Sequence, residues 1–214
     1  MKFVNGWAFP LFDSHFKKYV SNYPETFYQQ EVFEESLKYV KDFKVAIDAG
    51  ANVGLHSVRF AKKFNKVYSF EPSAENFICL EKNCGNDKNI KLYNLGLGKI
   101  QEDKKLKLPK LSNNCGLFST SEYNLLDESS LKEEQIKIIT IDSLGLETNL
   151  IKIDTQGSEL EILQGAENTI NSYKPVITVE LERKKIREDV SIFLKKLKYK
   201  LVKKIGKDNI WISL

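Results

Sequence analysis

The chain has 214 residues, 42% of them hydrophobic and 29% charged, with a net charge of +4. That is enough for one domain with a sizeable core and ordinary for a globular protein. No apolar run reaches the ~18 residues of a membrane span, and Met1-Lys-Phe-Val-Asn-Gly-Trp7 has no signal-peptide core. Three cysteines, Cys79, Cys84 and Cys115, lack metal spacing, so a reduced, cytoplasmic setting is the simplest expectation.

Residues 1–44 are rich in aromatics, among them Phe3, Trp7, Phe9, Phe12, Phe16, Tyr19, Tyr23 and Tyr28, and Pro10 and Pro24 break the run. Two readings stand: a segment lying across a ligand mouth, and an aromatic layer on a sheet edge. From Gln30 a helical pattern places Val32, Phe33, Leu37 and Val40 on one face.

Val45-Ala-Ile47 reads as a buried strand. Asp48 follows, then a turn with Gly50 and Gly54, then a helical pattern over Leu55 to Phe64. Glycines at a strand end let the backbone approach a ligand, and the next helix offers free amides. The spacing, Asp-x-Gly-x-x-x-Gly, is neither the dinucleotide fingerprint nor a Walker loop. A carboxylate beside a phosphate repels it, so Asp48 suits a cation. Acid, glycine turn and helix together suit S-adenosylmethionine, a sulfonium with a ribose and an amino-acid tail.

Lys66–Phe70 is a second strand, ended by Glu71-Pro72. Glu71 lies 23 residues after Asp48, the spacing at which a carboxylate accepts from two ribose hydroxyls. An acid favoured by the next helix dipole is the plainer reading; the glycine loop upstream favours ribose. The helix after Pro72-Ser73 runs to about Cys84 with Phe77, Leu80 and Cys84 inward. Ile90–Asn94 is a third strand, followed by the turn Asn94-Leu-Gly-Leu-Gly98. Lys104–Pro109 and Ile136–Thr140 alternate like strands, with Ser112–Ser119 between them.

Leu150–Ile153 is a buried strand ended by Asp154. Ser158 and Glu161 have capping-box spacing for a helix whose inner face is Ile162, Leu163, Ala166 and Ile170. Pro175–Glu182 is a fifth strand, and Glu180 and Glu182 share a face. Asp154 and Glu180 suit a paired-carboxylate site or a divalent cation. An amphipathic helix over Ile186–Leu197 and a hairpin, Tyr199–Ile205 and Asn209–Ser213 around Lys207-Asp208, close the chain. Residues 183–207 hold 11 Lys/Arg against two acids, which reads as a solvated face or as a patch for nucleic acid or anionic glycan. No nucleic-acid motif accompanies it.

These stretches resemble the FkbM-type family of S-adenosylmethionine-dependent methyltransferases, over most of the chain. They are Val45–Gly54, Glu71-Pro72, Asn94–Gly98, Lys152-Ile-Asp-Thr-Gln-Gly-Ser-Glu159 and Pro175–Glu180. Trp7-x-Phe9-Pro10-x-x-Asp13-x-His15-Phe16 and Tyr28-Gln29 resemble its small, compact branch. The resemblance implies a doubly wound Rossmann-like class I α/β sheet, mostly parallel with one antiparallel strand. It implies one methyltransferase domain, 1–214, with an amino-terminal cap at 1–44 and the core at 45–214. Asp48, Gly50, Ala51, Asn52, Gly54, Glu71, Pro72, Asn94, Leu95, Asp154, Tyr28 and Gln29 would border the cofactor. Phe9, Asp13, His15 and Asn114 (or Asn113) would border the acceptor. Asp154, Glu180 and His15, in that order, would serve the chemistry. The acceptor would be a small molecule or glycan, methylated at a sugar or other polyol oxygen, with no metal expected. Where the family has Glu, position 156 is Gln, which keeps the shape and loses the charge. Asn52 replaces a glycine usual in broader methyltransferases, and Asn tolerates left-handed backbone. Two further classes remain at this point: a nicotinamide oxidoreductase, against which Asp48 and the loop spacing count, and a silent binding module on the same fold.

Overall fold

The computed structural model describes residues 1–11, 13–21, 27–109 and 131–214. At the amino terminus β1 (Lys2–Val4) and β2 (Trp7–Phe9) form an antiparallel ribbon, followed by α1 (Lys17–Ser21) and α2 (Gln30–Leu37). The alternating core follows as β3 (Val45–Ala49), α3 (Leu55–Ala61), β4 (Lys66–Phe70), α4 (Ala74–Cys84) and β5 (Ile90–Tyr93). Next come β6 (Gly96–Leu97), β7 (Glu102–Pro109), β8 (Leu131–Ile139), β9 (Leu150–Ile153), α5 (Glu159–Gln164) and α6 (Glu167–Tyr173). The chain ends with β10 (Val176–Glu180), α7 (Lys184–Lys196), β11 (Tyr199–Ile205) and β12 (Asp208–Ser213).

Seven strands form one sheet in the order β11-β12-β10-β9-β3-β4-β5. β12 runs antiparallel to both neighbours, and the remaining pairs are parallel. The core strands are apolar on both faces because helices cover both. On one face Ile47, Phe70, Ile151, Ile153, Ile177 and Val179 pack on Ile162, Ile170, Val190 and Leu194 of α5, α6 and α7. On the other, Ala46, Val67, Leu150 and Val176 pack on Phe33 of α2 and on Phe60 and Phe64 at α3. This is the doubly wound sheet with one reversed strand.

Several local expectations are revised. Gly96-Leu97 is not only a turn: it adds a parallel strand to β8, which pairs antiparallel with β7 in a separate three-stranded sheet. The helix after Ser158 is two helices, broken at Gly165. A Cβ on Gly165 would lie 1.9 Å from the Gly98 carbonyl oxygen, so that glycine lets the α5–α6 corner abut the start of the small sheet. The capping box is absent. Ser158 makes no side-chain cap bond, Glu161 pairs with Lys104 at 3.2 Å, and it is Glu159 that takes the Gly157 amide at 2.7 Å. Cys79 and Cys84 are buried free thiols, and burial raises both above their ordinary range. The basic tail lies along α7 and edge strand β11, where Lys200, Lys203 and Lys204 are exposed. Lysines there discourage edge-to-edge pairing. No helix among the described residues is long and apolar enough to cross a membrane.

Candidate active site

A cavity of about 610 Å³ opens at the carboxyl ends of β3, β4, β9 and β10. That is where a doubly wound sheet binds ligands, and the volume suits a cofactor-sized molecule. Its near side is the glycine loop. The amides of Gly50 and Ala51 donate to the Phe70 carbonyl at 3.0 and 2.9 Å, tying the end of β3 to the end of β4. Gly50 has φ +78°, and a Cβ there would fall 2.0 Å from the Asp154 carbonyl oxygen. Position 50 therefore tolerates no side chain. Asn52 holds φ +52°, as its tolerance of left-handed backbone allows.

Glu71 is the second fixed point. It is 4% exposed, its Oε2 accepts the Asn52 amide at 2.9 Å, and its Oε1 accepts the Ser73 amide at 3.0 Å. A carboxylate has about four acceptor positions, so lone pairs remain toward the cavity it lines. Burial pushes Glu71 up to about 7, against the opposing pull of the Ser73 and Asn52 amides and the Asn76 side chain. Beyond it lies an apolar slot made by Phe70, Pro72, Leu95, Leu97 and Ile138. Asn94 does not line the slot. Its side-chain amide donates to the Glu71 and Pro72 carbonyls at 2.9 and 3.0 Å, so it clamps the chain that carries Glu71.

Asp48 also needs correction. It is 0% exposed and lies behind the loop, not on the cavity wall. Its Oδ2 accepts from Ser57 Oγ at 2.7 Å, Ser57 accepts in turn from Ser69 Oγ at 2.9 Å, and its Oδ1 faces Lys152 Nζ at 3.2 Å. Its charge is neutralised by a lysine and is not offered to a cationic ligand. Lys152, 6% exposed, also approaches Asp154 at 3.8 Å and the Gly50 carbonyl at 3.4 Å. Burial alone would lower the Lys152 ammonium, but Asp48 and Asp154 outweigh it and hold it above the ordinary range. Sequence reasoning missed this residue, although the period-two alternation of β9 puts Lys152 and Asp154 on one face. Gly54 lies off the wall, at the start of α3.

The far end of the cavity is acidic. Asp154 leaves β9, Glu180 ends β10, and Asp208 opens β12 directly opposite Glu180. Burial raises Glu180 to about 9, with the charge and hydrogen bond of Asp154 next and the charge of Asp208 after them. Burial, then Asp154, raises Asp208 to about 7, opposed by Lys152 and Lys207. Gln156 Nε2 donates to Asp154 Oδ1 at 3.4 Å. Glu182 is exposed and pairs with Lys207 at 2.6 Å. Among the described residues no group of three or more His, Cys, Asp and Glu side chains is arranged to hold a metal ion.

The amino-terminal segment supplies the remaining wall through His15, Phe16, Tyr28 and Gln29. Tyr28 sits edge-on to Phe16 at 5.0 Å, Tyr19 at 5.1 Å and His56 at 5.9 Å. Arg59 secures the segment, donating to the Tyr28 carbonyl at 3.0 Å beneath the Phe27 ring. Burial first, and Lys18 second, lower the His15 imidazole below its ordinary range. Phe9 and Asp13 do not reach the cavity. Phe9 is 0% exposed in the cluster of Phe16, Val20, Val53 and Leu55, and Asp13 is 1% exposed and accepts the Phe16 amide at 3.1 Å. Both therefore support Phe16, which does line the cavity. Asn113 and Asn114 lie outside the described residues.

A seven-stranded sheet in this order, with its reversed strand, glycine turn and acid after β4, defines the Rossmann-like class I methyltransferases. The chain belongs to the methyltransferase FkbM domain family, whose profile matches residues 48–201. It is 27% identical over 186 residues to the hexuronic acid methyltransferase AglP of Haloferax volcanii, covering 86% of this chain and 75% of that one. It is 25% identical over 170 residues to Methyltransferase 1 of Beauveria bassiana, covering 66% and 67%. Among solved structures, an FkbM methyltransferase from Methylobacillus flagellatus matches with a TM-score of 0.55 at 19% identity over 80% of this chain, which spans 43% of that protein. A Streptococcus mutans protein solved in complex with SAH matches at 0.51 and 14% identity, covering 85% and 94%.

Proposed function

We propose that this methyltransferase, acting as one domain over 1–214, uses S-adenosylmethionine to methylate a hydroxyl oxygen of a sugar or other small polyol. The observation that carries the cofactor reading is Glu71. A buried carboxylate with lone pairs to spare stands between the glycine loop and an apolar slot, the acceptor that ribose hydroxyls and the flat surface that an adenine require. Glu71 would hold the ribose hydroxyls, Leu95 and Pro72 the adenine, and the loop Gly50–Asn52 the backbone side of the ligand. Asp154 would take the amino-acid end, with Tyr28 and Gln29 bordering it. Asp48 supports this end through Lys152 and makes no contact of its own.

When bound, the cofactor supplies a methyl group already activated by its sulfonium. The chain's own work is to align the acceptor oxygen and exclude water, and the Phe16 and Tyr28 wall serves both. An alcohol loses its proton late, so a modest base suffices. Asp154 would receive it; Glu180, held up at about 9, would keep its own proton and donate to the acceptor, and His15 lies on the same wall. The likeness to a hexuronic acid methyltransferase favours a sugar acceptor, and with it an oxygen, by analogy alone.

Calorimetric titration with S-adenosylhomocysteine, repeated with NAD, tests the reading. Micromolar binding of the first alone is expected. Binding of NAD alone would overturn it, and binding of neither would leave the silent-module alternative standing.

A further inference from the structure

The acid end contains a carboxylate that the proposed chemistry does not use. Asp208 is 8% exposed, lines the cavity and faces Glu180 across the strand pair. Its Oδ2 accepts from Gln29 Nε2 at 3.5 Å, and Gln29 Oε1 meets His56 Nε2 at 2.9 Å. Ionised, Asp208 only accepts, and Gln29 then turns its nitrogen to it. The Gln29 oxygen is then left for His56, and it too only accepts. His56 therefore carries its proton on Nε2 and keeps Nδ1 bare, a tautomer assigned from the chain of partners. In keeping with this, His56 Nδ1 has no hydrogen-bond partner. Burial, with Lys152 and Arg59 after it, holds the ring well below its ordinary range and so neutral.

We propose that Asp208 is a positioning residue of the methyl-transfer site, orienting the Gln29 amide against His56 and standing as a second acid opposite Glu180. The proposal rests on the reading of the cavity given above. Two acids set opposite each other across β10 and β12 offer the strand pair no complementary charge. The groups facing Asp208 are Glu180 from β10, Asp154 and Lys152 from β9, Lys207 from its own turn, and Tyr28 and Gln29 from the amino-terminal segment. Both cations are engaged elsewhere, Lys152 with Asp48 at 3.2 Å and Lys207 with Glu182 at 2.6 Å. Glu180 shares its proton first with Asp154, whose charge and hydrogen bond raise it more than Asp208 does.

The test uses the ligand-free full chain and nuclear magnetic resonance. With only two histidines, His15 and His56, the ring nitrogens are readily assigned. Asp208→Asn removes the charge and keeps an acceptor oxygen. The carboxyl midpoint of Glu180 should then fall by about one pH unit, the size of a neighbouring like charge, while His56 keeps its Nε2-protonated pattern. Asp208→Ala and Gln29→Ala remove the partner chain, and the His56 tautomers should mix. An unmoved Glu180 midpoint in Asp208→Asn, or a single His56 tautomer persisting in Gln29→Ala, overturns the proposal. Those two variants suffice should Asp208→Ala fail to fold. Neither readout needs a cofactor, so a failed S-adenosylhomocysteine titration counts against the cavity reading separately.

Discussion

The two ends of the cavity handle buried carboxylates in opposite ways. At the glycine-loop end, Glu71 is met by two backbone amides that partly offset the burial raising it. At the other end, Asp154, Glu180 and Asp208 are set against one another, with little but Lys152 to offset them. The first end is complete before any ligand arrives; the second is left short of positive charge or hydrogen. A carboxylate held by amides keeps a fixed acceptor geometry, which suits a cofactor that is always the same. Carboxylates that share protons adapt to whichever hydroxyl needs a donor or an acceptor.

The largest effect that would sharpen this contrast lies beneath the loop. Asp48→Ala leaves Lys152 buried without its main partner and should cost about 3–5 kcal/mol in urea unfolding. Adding Lys152→Met should recover much of that. A cost below about 1 kcal/mol would show that the pair does not support the loop. Next, Glu71→Gln should weaken S-adenosylhomocysteine binding by about 1–3 kcal/mol, since a charged acceptor becomes neutral. Unchanged affinity with the fold intact would sink the assignment of the cofactor end.

The pH dependence of stability sets Glu180 apart from the other two raised acids of the cavity. All three raised acids bind a proton more tightly folded than unfolded, where carboxyls titrate near ~4. Each one's stabilisation is whole below that value and is lost as pH rises through its folded value. The loss should run through about 7 for Glu71 and Asp208 and continue to about 9 for Glu180. Its slope is at most about 1.4 kcal/mol per pH unit for each group. In a pH series of urea midpoints, Glu180→Gln should remove the upper part of the decline and Glu71→Gln only the lower. A flat profile would contradict both. The smallest expected effect is Asn94→Ala, about 1 kcal/mol of cofactor affinity through a loosened Glu71. A loss as large as that of Glu71→Gln would mean that Asn94 meets the ligand itself.

The same division explains what could be read from the sequence. The loop end draws on residues 50–97, and its signals are local: a strand, an acid, glycines at fixed spacing, then a second acid. Glu71 was legible for that reason. The burial of Asp48 was not, because its partner Lys152 comes from a strand a hundred residues later. Phe9 and Asp13 were misplaced for a related reason. An aromatic and an acid near a site look alike whether they touch a ligand or hold up the residues that do. In the sequence Asp208 reads as part of a hairpin turn, where an acid is commonplace; only the antiparallel register of β12 brings it opposite Glu180. The sheet was readable from its apolar strands, whereas the separate β6–β8 sheet depends on a pairing that no local pattern shows.

The contact between Gly165 and Gly98 has a consequence for the width of the slot. One glycine closes the α5–α6 corner; the other leads out of β6, whose Leu97 forms the wall beside Ile138. With a side-chain carbon at 165 falling 1.9 Å from the Gly98 oxygen, the corner acts as a spacer of zero thickness. Any larger residue would wedge the small sheet outward and loosen the slot proposed to hold the adenine. The calibre of the slot is thus set at a point that touches no ligand. A variant such as Gly165→Ala, if it folds, should betray this as weaker discrimination between adenine and bulkier bases in the bound nucleoside.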